Sequence, residues 1–192
     1  MEKFEALKYI IENRRTTKSN LMNGKVIEDE LLVKLLSLAN WAPTHGLTEP
    51  WRFIIYKGEA GLKFCEEHAN LYKEHTASER YLQPSYDKLL HNADKASHTI
   101  VVYCKHGMNP KIPLIEDICS TACAVENILL GAEALGLAIY WSTGGMIHYA
   151  SMKDHLQLAG EDVVIGVLYL GYADEKKAGK RKTGIEEKIE WK

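Results

Sequence analysis

The chain has 192 residues, of which 46% are apolar and 26% charged, and its net charge is −2 at pH 7. This is the makeup of a globular domain with room for one good core. It excludes a general polyanion or nucleic-acid binder, and no apolar run approaches the ~20 residues of a membrane helix. Four cysteines in this length fit no disulfide framework. The start, Met1-Glu2-Lys3-Phe4-Glu5-Ala6-Leu7-Lys8, lacks the apolar stretch of a secretory signal, so a cytoplasmic location is expected.

Phe4, Leu7, Ile10 and Ile11 share one helical face and predict an amphipathic helix over residues 2–13. A basic turn follows at once, Arg14-Arg15-Thr16-Thr17-Lys18. A second helix is predicted over about 28–40, with Glu28, Asp29 and Glu30 suiting the dipole of its first turn. Pro43 stops that pattern, and Pro50 opens the aromatic and β-branched run Trp51-Arg52-Phe53-Ile54-Ile55-Tyr56, a strand. A helix over roughly 59–73 leads into a polar, tyrosine- and histidine-bearing stretch, 74–98, read as helical pieces in a mobile excursion. Residues 99–104 form a buried strand and 115–135 the longest helix, apolar on more than one face. Gly136 ends it, 137–141 is a short strand, 163–170 a core strand, and a charged tail follows from Gly171. No repeat or low-complexity linker divides the chain, so residues 1–192 are read as one domain. Helices and strands mix without βαβ alternation, which points to an α+β sandwich.

Three cations within the basic turn, with hydroxyls between them, have the composition a phosphate dianion needs: guanidinium forks, hydroxyl donors and an ammonium. A solvated helix C-terminus would also favour cations. The proline-bounded segment Ala42-Pro43-Thr44-His45-Gly46-Leu47-Thr48-Glu49-Pro50-Trp51 has the marks of a positioned loop. Ser142 and Thr143 stand at an otherwise apolar strand end, and Gly144-Gly145 lets a backbone approach closely. Cys119 and Cys123, four apart on the long helix, have no second Cys/His pair at metal-finger spacing and are read as core. His68, His75, His91 and His98 match no metal motif, and no dinucleotide fingerprint, P-loop or Gly-x-Ser-x-Gly is present.

Taken in order, these segments resemble the FMN-dependent nitroreductase family. Arg14-Arg15-Thr16-Thr17-Lys18 matches the family's Arg-x-Ser-x-Lys, with threonine for serine. Ala42-Pro43-Thr44-His45 and Pro50-Trp51 match its proline loop in a version of a small subgroup carrying Ala-Pro-x-His. Leu135-Gly136-Leu137 through Trp141-Ser142-Thr143 matches its Leu-Gly-Leu strand, and Lys180-Arg181-Lys182-Thr183-Gly184-Ile185-Glu186-Glu187 its closing Lys-Arg-Lys-Pro-Leu-Glu-Glu. The chain departs from the pattern at Leu47 and Glu49, where the family usually has Asn and Gln, and at Ala138, where it has glycine.

The resemblance implies an α/β/α sandwich with a mainly antiparallel central sheet, and a homodimer with FMN at the subunit interface. It implies NAD(P)H as reductant and a small electron-poor acceptor such as a nitro compound, served by a ping-pong mechanism. The residues it assigns to the cofactor are Arg14, Arg15, Thr16, Lys18 and Arg181 at the phosphate and ribityl chain, and Trp41, His45, Trp141, Ser142 and Thr143 near the ring. A backbone N–H between Ser142 and Gly144 would orient N5. The contacts from 14–18, 41–45 and 181 would then come from a different chain than those from 141–143. Glu49 is expected to point away from the ring or to pair with Arg52. The flavin carries the redox chemistry, so no side chain is assigned a catalytic role and no metal is called for. The competing expectation is a flavin-binding or flavin-storing protein without turnover.

Overall fold

Four runs of β-branched and aromatic residues pair into one sheet. They are β1 (Trp51–Lys57), β2 (His98–Cys104), β3 (Ala138–Ser142) and β4 (Val163–Gly171), in the order β1-β2-β4-β3 with every neighbour antiparallel. The structure is a computed structural model. It describes residues 2–107 and 109–192, so Met1, at the edge of the expected 1–192 unit, and Met108 lie outside the described residues.

Side chains alternate across the pleat and feed two cores. Ile100, Val102 and Cys104 of β2, Ile139 of β3, and Leu168 and Leu170 of β4 pack under α2 (Asp29–Leu36) and α5 (Leu114–Ala134). Val101, Ala138, Val167 and Tyr169 face the opposite way, toward α3 (Glu59–His75) and α6 (Ala150–His155). The result is the expected sheet between two helical layers. Residues such as Leu35, Ile128 and Leu168 are fully buried, each contributing about 1.5–3 kcal/mol of hydrophobic transfer. The β2–β4 register shifts between Val102 and Tyr103, opposite Gly166. A Cβ on Gly166 would collide with the Trp141 indole, so a glycine here lets that ring lie on the sheet.

Several expectations need correcting. α1 (Glu2–Asn13) forms as predicted but buries nothing: Phe4 stays 67% exposed, and Leu7 and Ile11 are exposed too. The second helix is α-helical only to Leu36 and tightens into a 3₁₀ stretch, Ser37–Trp41. At that junction the Ser37 hydroxyl donates to the Lys34 carbonyl, the kind of local bond that competes with a regular helix. The stretch 74–98 is not a loose excursion. It contains α4 (Gln83–Leu90), whose Leu89 is buried; Tyr81 stacks on Tyr72 at 5.6 Å, and the Tyr86 hydroxyl donates to Asn70. The third strand begins one residue later than predicted, at Ala138. Cys119 and Cys123 are exposed rather than packed, because they lie with Ile115 on the face of α5 turned away from Asp117, Thr121 and Ala124. Spacing located that stripe but could not say which face of a helix apolar all round would be left uncovered.

Candidate functional site

The basic turn leaves the end of α1 and is stapled to the sheet: the Thr17 amide donates to the Ile139 carbonyl of β3 at 3.0 Å. Two residues on, the Ser19 hydroxyl donates to Asn92 Oδ1, just past the end of α4. Turn, strand and helix therefore meet around one cavity of about 430 Å³, whose walls include Lys18, Lys88, His91, Asn92 and Tyr140.

The polar groups there have unspent capacity. Asn92 is buried, and its side-chain Nδ2 lies beside the buried Tyr169 phenol without a partner at full hydrogen-bond geometry; a donor so poorly satisfied costs about 1–3 kcal/mol unless something fills the need. The Lys88 ammonium lies 5.5 Å from the centre of the Tyr140 ring, within cation–π range. Burial pushes the Tyr140 phenol up, but hydrogen bonding to Ser142 and Lys88 and the charges of Lys88 and Lys18 outweigh it and hold the phenol below its ordinary range. Lys88, Asn92 and Tyr140 were not singled out from sequence. Lys88 and Asn92 fall in the 74–98 stretch, whose residue types offer no chemical clue from sequence alone.

Arg14 lies 4.0 Å from Glu126 on α5 and is partly buried. Arg15 lines a smaller cavity with Thr17, Glu133 and Lys176, and its Nη1 donates to the Arg14 carbonyl. Thr16 is exposed. The tail crosses this turn: a Cβ on Gly179 would run into the Arg15 guanidinium. Arg181, two residues further, is exposed and has its Nη1 at 3.4 Å from the Lys180 carbonyl.

At the end of β3, Trp141 turns its indole N–H to the Ile165 carbonyl at 3.3 Å, so its side-chain donor is already used inside the sheet. Ser142 is buried and Thr143 exposed. Among the described residues, none accepts a hydrogen bond from the amides of Thr143, Gly144 or Gly145. The next amide, Met146 N–H, donates to His68 Nε2 at 3.1 Å. Burial, with a smaller contribution from His155, pushes His68 down to about 4, so the ring is neutral near pH 7 and its proton sits on Nδ1.

The proline loop is elsewhere. His45 Nδ1 lies 2.5 Å from Glu116 in the first turn of α5. With Pro43, Thr44, Ile115, Cys119 and Cys123 it borders a second cavity of about 320 Å³. Trp41 is 84% exposed and Leu47 81%. The loop backbone is strained, with Leu47 at φ 54° and Glu49 at φ 41°, each a cost of about 1–3 kcal/mol. It is held by a polar chain that ends in the core. Thr44 and Thr48 hydroxyls meet at 3.0 Å, Thr48 donates to the buried Asp117 at 2.7 Å, and His106 Nδ1 meets the other Asp117 oxygen at 2.8 Å. Arg52 does turn back to residue 49, but it donates to the Glu49 carbonyl, not to the carboxylate.

These placements revise the expected grouping. The 14–18 turn adjoins 138–142 within one chain, and the 41–45 segment is the part set apart. Glu116 beside His45 and Glu126 beside Arg14 are ten residues apart on α5, about 15 Å at the helical rise.

Residues 11–172 match the model of the Nitroreductase family. The chain belongs to that family. It is similar to a nitroreductase-like family protein from Bacillus cereus, with 29% identity and a TM-score of 0.80 covering 96% of this chain and 95% of that one. A protein of Archaeoglobus fulgidus named "Putative NADH dehydrogenase/NAD(P)H nitroreductase" is 30% identical over 176 residues, 90% of this chain and 88% of that one. A Desulfovibrio desulfuricans structure described as a "putative nitroreductase in complex with FMN" shares the fold at 20% identity and a TM-score of 0.72, covering 97% of this chain and 96% of that one. For this nitroreductase-family chain, no helix among the described residues is long and apolar enough to cross a membrane.

Proposed function

We propose that this chain passes reducing equivalents from NAD(P)H to a small electron-poor acceptor, such as a nitro compound, in two half-reactions at one bound FMN. The enzyme class, an NAD(P)H-dependent flavin oxidoreductase, and FMN as cofactor come with the family. The observation that carries the placement is the cavity between basic turn, β3 and α4, with its poorly satisfied Asn92 amide and its two lysines. The donor set fits the group: a flavin brings a dianionic phosphate and a ring edge dense in carbonyl and nitrogen acceptors.

In this reading Arg14, Arg15, Thr16 and, from the crossing tail, Arg181 hold the phosphate by charge-assisted hydrogen bonds. Lys18 and Asn92 serve the carbonyl edge of the ring, and the Lys18 and Lys88 charges favour its reduced, more negative state. The free amides of Thr143 to Gly145 supply the backbone donor for N5. When bound there, FMN would supply the redox chemistry that links NAD(P)H to the acceptor. The protein's part is to hold and orient, so no side chain is given a catalytic role.

A homodimer completes the pocket. Its support is apolar surface left bare by the single chain: the Phe4 face of α1, Trp41, Leu47, and the Ile115–Cys119–Cys123 stripe of α5. Large exposed apolar areas of this kind mark association surfaces. His45 and Trp41 would then reach the flavin held by the other subunit. The proposal takes residues 1–192 as one functional unit acting in the cytoplasm.

Adding FMN to purified protein and then NADH or NADPH without oxygen tests this. The expected result is quenched flavin fluorescence followed by bleaching of the flavin absorbance. FMN bound but not bleached by either nucleotide would favour a storage protein, and absence of FMN uptake would refute the reading.

A further inference from the structure

The segment Thr143-Gly144-Gly145 presents amides that no described residue uses. Such donors help a ligand only if their direction is fixed before it arrives. One end is fixed by the sheet, where Ser142 pairs with Val167. The other end is a turn ahead of α6, anchored by the buried Met146 and Ile147 and by His148 Nδ1 at 3.1 Å from the Val164 carbonyl. The contact nearest the free amides is a side chain of α3, His68.

That imidazole is 1% exposed and accepts the Met146 amide at 3.1 Å. It also sets the course of the chain one residue earlier. A Cβ built on Gly145 would lie 2.5 Å from His68 Nε2 and 2.9 Å from Leu89 of α4, and Gly145 itself sits at φ 69°. Glycine is what lets the loop close onto the ring. A plain core filler does not account for the residue. Its Nδ1 is buried with no partner, an unfavourable arrangement that a phenylalanine or leucine would avoid. The imidazole is the group on α3 that can accept from Met146, and it packs beside Phe64, 6.0 Å between ring centres.

We infer that His68 is a positioning residue for the flavin: by accepting the Met146 amide and filling the space a Gly145 side chain would take, it fixes the direction of the Thr143–Gly145 donors. The inference rests on the flavin reading above and assigns within it a role that lies outside the four sequence segments of the site. His68 touches neither flavin nor acceptor in this account. It acts through the loop.

The test compares His68→Leu, which keeps apolar bulk and loses the acceptor, with His68→Gln, which restores an acceptor near the Nε2 position. FMN affinity, the midpoint potential of the bound flavin and thermal stability of the flavin-free protein are measured on each. The leucine variant should bind FMN about tenfold more weakly, as loss of one buried hydrogen bond implies. Its bound flavin should shift in potential toward that of free FMN, and glutamine should restore both. A leucine variant that melts earlier yet keeps the wild-type affinity and potential would overturn the inference, because His68 would then be structural only. If the leucine variant does not fold, hydrogen exchange and imidazole nitrogen NMR on the wild type decide. A Met146 amide protected with and without FMN, opposite a neutral Nδ1–H ring, supports the inference, and a Met146 amide exchanging like an open loop overturns it. Wild-type protein that takes up no FMN would instead refute the flavin reading and this role with it.

Discussion

The cavity between β3 and α4 and the proline loop beside α5 are built in opposite ways. Around the cavity, buried polar groups wait for partners: the Asn92 amide is poorly satisfied, and the Thr143–Gly145 amides are free among the described residues. In the proline loop, polar groups are spent on one another, through Thr44, Thr48, Asp117 and His106, to hold a strained backbone. What that loop leaves free is apolar, Trp41 and Leu47. On the proposed reading the first region receives the polar ligand and the second is pressed against the other subunit. One chain thus carries two unlike halves of the proposed site.

Breaking the ligand half should have the largest effect. Replacing Arg14 and Arg181 together by alanine should weaken FMN binding by about 3–6 kcal/mol, at about 1.5–3 kcal/mol for each charged hydrogen bond. Fluorescence titration would show it, and unchanged affinity would mean the phosphate lies elsewhere.

The next effect separates a buried neutral ring from the exposed His45. His68 is held down to about 4 in the folded chain against 6.5 for an ordinary histidine. Its contribution is full above pH 6.5. Below that the unfolded chain takes up a proton that the folded chain refuses, so stability falls until about pH 4, by about 3 kcal/mol. Urea unfolding of wild type and His68→Gln across this range should give a flatter profile for the variant, and parallel profiles would contradict the assignment.

In the loop half, Asp117→Ala leaves Thr48 and His106 without their acceptor and should cost about 2 kcal/mol of stability, read from the urea midpoint. If the contrast between halves is right, the same variant changes FMN affinity less than the arginine pair does. Smallest, and opposite in sign, Leu47→Gly relieves a left-handed backbone and should gain about 0.5 kcal/mol after the entropy of glycine is counted. A loss in the same melt would show that the Leu47 side chain is already buried, as it would be in a dimer.

How far the sequence reached depends on whether the physics was local. The α1 boundaries, the Pro50 strand entry and the break at Gly136 follow from side-chain periodicity, proline and glycine, and they stand within a residue or so. The exposed cysteines did not, because burial of a helix face is decided by which neighbour covers it, and α5 is apolar on more than one side. Of the candidate site, the basic turn and the β3 end were legible as composition. That they adjoin in one chain was not, since the Thr17–Ile139 hydrogen bond joins residues far apart in sequence. Asn92, Lys88 and His68 were missed for the same reason: each looks like an ordinary polar helix residue until α3 and α4 fold against the loop after β3. Trp141 shows the reverse, a residue read from sequence near the strand end whose indole donor the sheet consumes.

The most direct test of the central claim is a crystal structure of the protein soaked or grown with FMN. The account predicts the phosphate against Arg14 and the carbonyl edge of the ring within hydrogen-bond distance of Lys18 and Asn92. It also predicts a Thr143–Gly145 amide at N5. A flavin bound without contact to the basic turn, or resting only against Pro43, Ile115 and Cys119, would contradict it.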